Sequence, residues 1–189
     1  MNSNKKLLAY VTGLALGDGN LSNPNKRAVR LRITCDNKYP ALKKQIIKSL
    51  GQLFPENKVG TIKRINCTDI SIYSNRLEKI LGWKWDKGPK DKQNVSIPEW
   101  IKINTALTKK CLLGLFQTDG SIYKDRKYLT VNFVNTSPSL ANDVFESIGK
   151  LGYMANMQKL KQVNGKIKHT IRISKNTDEF IKEINYWKK

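Results

Sequence analysis

Histidine is almost missing from this chain of 189 residues; His169 is the only one. That scarcity excludes Ser-His-Asp triads, histidine-ligated nuclease centres and phosphotransfer through histidine. Cysteine is scarce too. Cys35, Cys67 and Cys111 are isolated and odd in number, which excludes a disulfide framework or zinc site and suits a reducing compartment. No apolar run approaches the length of a membrane span. Leu7–Leu16 is short and interrupted by Tyr, Thr and Gly, so it does not read as a signal peptide. The expectation is a protein that is not secreted and has no membrane partner. It would be cytoplasmic or organellar, wherever its host genome lies. His169 falls on the apolar side of its segment and reads as structural.

Acidic residues are also few. Fifteen Asp and Glu face 35 Lys and Arg, a formal charge of +20. A surplus of that size repels itself on folding, and a polyanion partner relieves it. About +11 falls in residues 1–100 and +9 in 101–189, so the charge is no basic tail but belongs to both halves.

What is present is a repeat. Val11-Thr-Gly-Leu-Ala-Leu-Gly-Asp-Gly19 and Leu112-Leu-Gly-Leu-Phe-Gln-Thr-Asp-Gly120 are both apolar, helix-like stretches ending in Asp-Gly. Alternating segments follow: Arg27–Cys35 with Val29, Leu31, Ile33 and Cys35 on one face, and Tyr128–Asn135 with Leu129, Val131 and Phe133. Period two marks strands with one dry and one wet face. Helices should begin at Pro40 and Pro138, which suit a first turn. Leu42, Ile46, Ile47, Leu50 and Leu53 then match Leu140, Val144, Phe145, Ile148 and Leu151 at a constant offset of 98 residues, on one helical face. Strands are predicted at Val59–Ile65, Thr68–Tyr73, Ala155–Gln162 and Lys166–Ser174. Asn164-Gly165 marks a hairpin turn. The last strand should bury Ile167, Ile171 and Ile173. Short helices at Arg76–Leu81 and Thr177–Trp187 complete the halves. The fold class is therefore α+β, with two pseudo-symmetric αββαββα units over 1–81 and 98–189 and a Lys-, Asp-, Gly- and Pro-rich connector over 82–97. Trp83, Trp85 and Trp100 read as packing or linker anchors.

The two Asp-Gly ends break a local rule, because a helix C-terminus disfavours a carboxylate. The glycine after each fits a left-handed helix cap. Ala9, Gly13 and Gly17 recur every fourth residue, and Gly114 and Thr118 take the matching places. Such rows let two helix backbones approach closely. If these helices pack together, Asp18, Asp119 and the nearby carbonyls converge into a hard-oxygen site suited to Mg²⁺.

On these residues the chain resembles the single-chain LAGLIDADG homing endonucleases, in which one polypeptide carries two motifs. The similarity spans nearly the whole length. The second motif, Cys111–Ser121, is the closer match. The first has Leu16 and Gly17 where the family's name has Asp and Ala, and keeps Asp18-Gly19.

The resemblance implies paired motif helices between two antiparallel sheets that form a saddle over duplex DNA. It implies a monomeric, metal-dependent endonuclease that hydrolyses one phosphodiester on each strand of a long site and leaves 3′ overhangs. Asp18 and Asp119 would be the catalytic metal ligands, with the carbonyls of Gly17 and Thr118 beside them. Mg²⁺ is the expected ion, with Mn²⁺ substituting and Ca²⁺ binding without cleavage. Asn37 and Asn135, in register at 98 residues, would surround the metal-bound waters. Lys38 is the candidate catalytic lysine of the first half, as a phosphate or transition-state contact; Lys124 or Lys127 could serve the second. Arg30 and Arg32 are candidates to read guanine from the wet strand faces. Lys63, Arg64, Tyr73, Lys127, Asn132, Gln158, Lys159, Lys161, Lys168 and Arg172 extend that surface. A second reading is an intron-RNA-binding maturase or an inactive DNA-binding relative, and retention of both aspartates favours the nuclease.

Binding to duplex DNA should weaken as salt rises, with a log–log slope near −0.9 per neutralised phosphate. A flat dependence, measured by anisotropy titration, would assign the +20 charge to another purpose.

Overall fold

The computed structural model describes residues 3–188. Helix α1 (Ser3–Asp18) runs into strand β1 (Gly19–Ser22). β2 (Arg30–Asp36), α2 (Pro40–Leu53), β3 (Gly60–Lys63), β4 (Cys67–Tyr73) and α3 (Leu77–Leu81) complete the first unit. A 3-10 turn (Lys90–Gln93) and the short α4 (Glu99–Lys102) lead to the second motif helix, α5 (Thr105–Asp119). β5 (Gly120–Asp125), β6 (Tyr128–Asn135), α6 (Pro138–Lys150), β7 (Ala155–Lys161), β8 (Ile167–Ile173) and α7 (Thr177–Ile184) follow. Each unit holds one antiparallel four-stranded sheet, ordered β1-β2-β4-β3 and β5-β6-β8-β7. This is the predicted α+β fold of two αββαββα units. Among the described residues, no helix is long and apolar enough to cross a membrane.

Alternation in the sequence is what folds the sheets. Val29, Leu31, Ile33, Cys35, Ile70 and Ile72 are buried on one face of the first sheet, and Val131, Phe133, Ile171 and Ile173 on one face of the second. Leu42, Ile46 and Leu50 of α2 and Leu140, Val144 and Ile148 of α6 are buried as one helical face. Phe116, Phe133, Phe180 and Tyr186 pack with ring centroids 5.3–5.7 Å apart around the base of the second motif helix. Asn104 caps α5, its side-chain oxygen accepting from the amides of Ala106 and Leu107. At the Asn164-Gly165 turn Gly165 has φ +78°, and Asn164 Oδ1 accepts from the Lys166 amide at 3.0 Å.

The motif helices pack backbone to backbone. A Cβ added to Gly13 would lie 2.9 Å from the Cys111 carbonyl carbon, and one on Gly114 would lie 2.7 Å from the Leu14 nitrogen. Across this apolar contact, Tyr10 of α1 donates to Gln117 Oε1 of α5 at 2.7 Å, and Gln117 Nε2 donates to the Trp187 carbonyl at 3.1 Å. Both hydrogen-bonding ends of the buried amide are used.

Several expectations are corrected. Gly19 and Gly120 are not left-handed caps. Gly120 has φ −89° and ψ 157°, and both glycines open a strand. They are needed because a Cβ on either would press into the preceding helical turn, 2.6 Å from Ala15 Cα or 2.8 Å from Phe116 Cα. β2 starts at Arg30, not Arg27, and β3 is confined to Gly60–Lys63. α3 starts after Arg76, and α7 stops at Ile184, where Asn185 turns left-handed at φ 55°. Ile167 is 46% exposed because β8 extends there past the helices that cover its apolar face. Thr130 is buried instead of wet, beneath Arg172, whose Nη2 donates to it at 3.3 Å. Trp83 is buried as an anchor, whereas Trp85 is 42% exposed.

The helix contact predicts a contrast between two glycines. Gly114→Ala should destabilise the protein by about 3 kcal/mol or more, since the clash is with backbone that cannot move aside. Gly149→Ala, in α6 with nothing within 4 Å of the new methyl, should stabilise by about 0.5–1 kcal/mol. Urea unfolding of the two variants measures the difference.

Candidate active site and nucleic-acid interface

Packing α1 against α5 brings both Asp-Gly ends to the same place. A Cβ on Gly17 would lie 2.7 Å from Thr118 Cβ and 3.4 Å from Asp119 Oδ2. The carboxylate of each helix therefore sits beside the last turn of the other. Two recesses of about 230 and 240 Å³ flank the helix pair. Asp18, Thr118, Lys188 and Lys38 line the first; Gly17, Lys90, Asn135 and Lys166 line the second. Among the described residues no group of three or more His, Cys, Asp or Glu side chains gathers as a metal cluster. The site offers two carboxylates and backbone oxygens instead.

Each helix end is met by a lysine that the sequence reading did not single out. Lys90 Nζ donates to the carbonyls of Ala15, Leu16 and Gly17 at 3.1, 2.7 and 2.5 Å. Lys188 Nζ donates to the carbonyls of Thr118 and Gly120 at 2.9 and 3.1 Å. Lys90 also lies over the Trp83 ring and Lys188 over that of Tyr39, at 5.8 and 5.2 Å. Both lysines sit in charge-rich segments where nothing separates them from solvated neighbours, so no signal in the sequence could have found them.

The electrostatics follow from this crowding. Burial, then the charge of Asp18, raises the Asp119 carboxyl to about 6, against the Asn135 hydrogen bond and the two lysines. Asp18 keeps solvent access at the rim, but the protein around its carboxylate strips enough hydration to raise its pKa, with Lys188 and Lys90 opposing. Burial lowers Lys90 to about 8 although both aspartates pull it up. Lys188 is lowered for the same reason. The donor set fits a hard cation: two carboxylates repel each other there, and ammonium groups already lie on the carbonyls of Gly17 and Thr118.

The two predicted asparagines part company. Asn135 Nδ2 donates to Asp119 Oδ2 at 2.7 Å, and Asn135 Oδ1 accepts from the Ser137 amide. Asn37 instead donates to the carbonyls of Arg64 and Ile65 and accepts from Thr68, tying down the β3–β4 turn. The reason is register. Gly19 pairs with Ile33 and Gly120 with Phe133, so β6 follows β2 by 100 residues, while α6 follows α2 by 98. Cys35, not Asn37, is therefore the strand equivalent of Asn135, and the Asp18 charge raises its thiol pKa after burial does. Lys38 reaches the first recess, paired with Asp36 Oδ2 at 3.0 Å.

Strand pairing sorts the candidate DNA contacts. Arg30, Arg32 and Tyr73 share the wet face of the first sheet, and Asn132, Gln158, Lys168 and Arg172 that of the second. Lys63, Lys159 and Lys161 have the parity of the buried side chains, opposite Thr68, His169 and Ile167, and so belong to the other face. Arg64 reaches the wet face through Asp69, with Nη2 to Oδ2 at 2.7 Å. Lys127 lies at the exposed β5–β6 tip. Tyr123, which donates no clear signal in the sequence, is 46% exposed on the wet face and accepts from Asn132 Nδ2 at 3.1 Å.

A sequence model of the LAGLIDADG-like domain family matches residues 107–185, and one of the WhiA LAGLIDADG-like domain matches residues 7–76. A sequence search of curated proteins found no match. Among solved structures, the chain is similar to mesophilic variants of the homing endonuclease I-DmoI. The TM-score is 0.73 at 19% identity, covering 97% of both chains. I-DmoI in complex with DNA and Mn gives the same TM-score and identity over 96% of this chain and 97% of that one. Full-length WhiA from Thermotoga maritima gives a TM-score of 0.69 at 14% identity, covering 99% of this chain and 57% of that one. At such identities the likeness establishes the fold.

The raised carboxyl pKa has a consequence for metal-free protein. A carboxyl whose pKa rises on folding binds its proton more tightly when folded. Its contribution is therefore full below its unfolded pKa and is lost as pH climbs through the folded value near 6. Asp119→Asn should melt at a higher temperature than the wild type at pH 7–8, and the gap should close toward pH 4. Calorimetry across that range in chelator checks both the sign and the window.

Proposed function

The chain is a two-motif LAGLIDADG protein, and we propose that it is a site-specific double-stranded DNA endonuclease that cuts one phosphodiester on each strand. The observation that carries the reading is the convergence of the two motif-helix ends: Asp18 shares a recess with Thr118, and Asp119 lies against Gly17, whose recess holds the Asn135 that bonds its carboxylate. The fold alone does not decide it, because the chain is similar to WhiA as well as to an endonuclease. Asp18 with the Thr118 carbonyl, and Asp119 with the Gly17 carbonyl, would hold a divalent cation. The cation, when bound, supplies Lewis-acid stabilisation and an activated water. I-DmoI structures with DNA and Mn or Ca, and with Mg, support this class of ion.

The chain's own residues do the rest. Asn135 fixes the orientation of the Asp119 carboxylate. Lys90 and Lys188, half-buried on the carbonyls that a cation would take, would exchange those bonds for phosphate oxygens as DNA settles onto the helix ends. Lys38 at the rim of the first recess serves as a further phosphate contact. The wet sheet faces bind the duplex on either side, and a single chain contains both recesses, so a monomer suffices. An intron-RNA partner gains no support from the site or from the relatives.

Two recesses predict strand-by-strand chemistry. On duplex selected from a randomised library, Asp18→Asn and Asp119→Asn should each leave a nicking enzyme, and the double variant should lose cleavage with binding retained. Loss of a ligand should cost more than the tenfold to hundredfold typical of the groups behind ligands, so at least about a hundredfold per strand is expected. Denaturing gels with each strand labelled read this in Mg²⁺. Wild-type cutting by the double variant would refute the assignment.

A further inference from the structure

A carboxylate stands in the middle of the wet face of the first sheet. Asp69 of β4 pairs with Thr34 of β2 on one side and Ile62 of β3 on the other. On a surface meant for phosphates, a negative charge weakens binding, so its presence calls for a reason. Its side chain is only 7% exposed, and three side chains converge on it. Thr34 Oγ1 donates to Oδ1 at 2.8 Å, and Arg64 Nε and Nη2 reach Oδ2 at 2.8 and 2.7 Å. Arg32 Nη1 lies 3.9 Å from the same oxygen.

The two guanidiniums keep open surface, Arg64 at 56% and Arg32 at 34%. Arginine reads guanine as a two-pronged fork, which demands a fixed plane. A free arginine on a sheet loses its rotamer freedom only on binding, and it binds phosphate as readily as a base. An arginine already clamped at Nε and Nη2 has lost that freedom, and the clamping carboxylate cancels part of its pull on phosphate. The buried clamp is confined to one half: in the second sheet Arg172 lies 3.9 Å from Asp125, and both of those side chains are about half exposed. The register that places Ile70 opposite Ile33, and Ile171 opposite Phe133, makes Thr170 the counterpart of Asp69.

We propose that Asp69 is a specificity-determining positioning residue, which orients Arg64 and Arg32 to read bases under the first half of the protein at the expense of non-specific affinity. The inference rests on the DNA-binding reading above, and its test separates the two. A randomised duplex library is bound in Ca²⁺ by wild type, Asp69→Asn, Arg64→Ala and the Asp69→Asn, Arg64→Ala pair, and the bound fractions are sequenced. Thermal melts confirm that each variant is folded.

Wild type should enrich a site, and Arg64→Ala should mark the positions that Arg64 reads. At those positions Asp69→Asn should relax base preference by about tenfold. The other half of the site should stay unchanged, and affinity for unselected duplex should be equal or higher. In the pair, Asp69→Asn should relax the Arg64 positions no further. Unchanged preference in Asp69→Asn, or relaxation spread equally over both halves, overturns the proposal while leaving DNA binding intact. Failure of wild type to enrich any site overturns the DNA-binding reading and the proposal with it. Should Asp69→Asn not fold, Thr34→Val removes one bond to the same carboxylate with little change of shape. Relaxed preference at the Arg64 positions then supports the proposal, and wild-type preference there overturns it.

Discussion

The structure depends on one contact: the backbones of α1 and α5 touching at Gly13 and Gly114, with Gly17 seated against the Thr118 side chain. No side chain is interposed at Gly13 and Gly114, so the helices lie there as close as backbones allow, and their C-termini converge. Everything distinctive follows from it. Each of the two sheets begins at the residue after a motif aspartate. The connector must return to the same centre, which delivers Lys90. The chain's final described residue, Lys188, reaches there as well. Fold and candidate chemistry thus share one element, and a residue larger than glycine at the contact would move both.

That closeness has an electrostatic cost. Two carboxylates and two negative helix ends occupy a partly dry region, and each unfavourable shift reflects this. Asp119 titrates near 6 and Lys90 near 8, so neither group sits where hydration alone would leave it. The lysines offset the cost by bonding carbonyls at and just beyond the two helix ends. Such stored strain is expected where groups are held ready for a ligand. The exposed ion pairs elsewhere on the molecule, such as Lys38 with Asp36, add little to stability by comparison.

Much of this was readable from residue order. Alternation marked the strands because one face of each sheet is dry, and the apolar positions of α2 and α6 marked their buried faces. The small-residue rows marked the helix contact because only backbone approach requires them. Three things were not readable. Lys90 and Lys188 are ordinary lysines until a fold brings them to a helix end. The place of Asn37 is hidden because the 98-residue offset of α2 and α6 conceals the 100-residue offset of β2 and β6. Two residues of difference between strand and helix move Asn37 from the site to a turn. The conformation of Gly19 and Gly120 was misjudged because glycine after a helix signals either a left-handed cap or a crowded exit, and only the position of the preceding turn decides between them.

The halves are thus similar in frame and different in detail: Asn135 against Cys35 beside the aspartates, and Asp69 against Thr170 on the wet faces. We propose that the helix contact builds one centre that cuts both strands. The most direct test is to incubate a randomised duplex library with the protein and Mg²⁺ and sequence every end produced. The account predicts paired ends within a single site, with 3′ overhangs, absent when Asp18 and Asp119 are both asparagine. Duplex that is bound but never cut, or ends that persist in that variant, would contradict it.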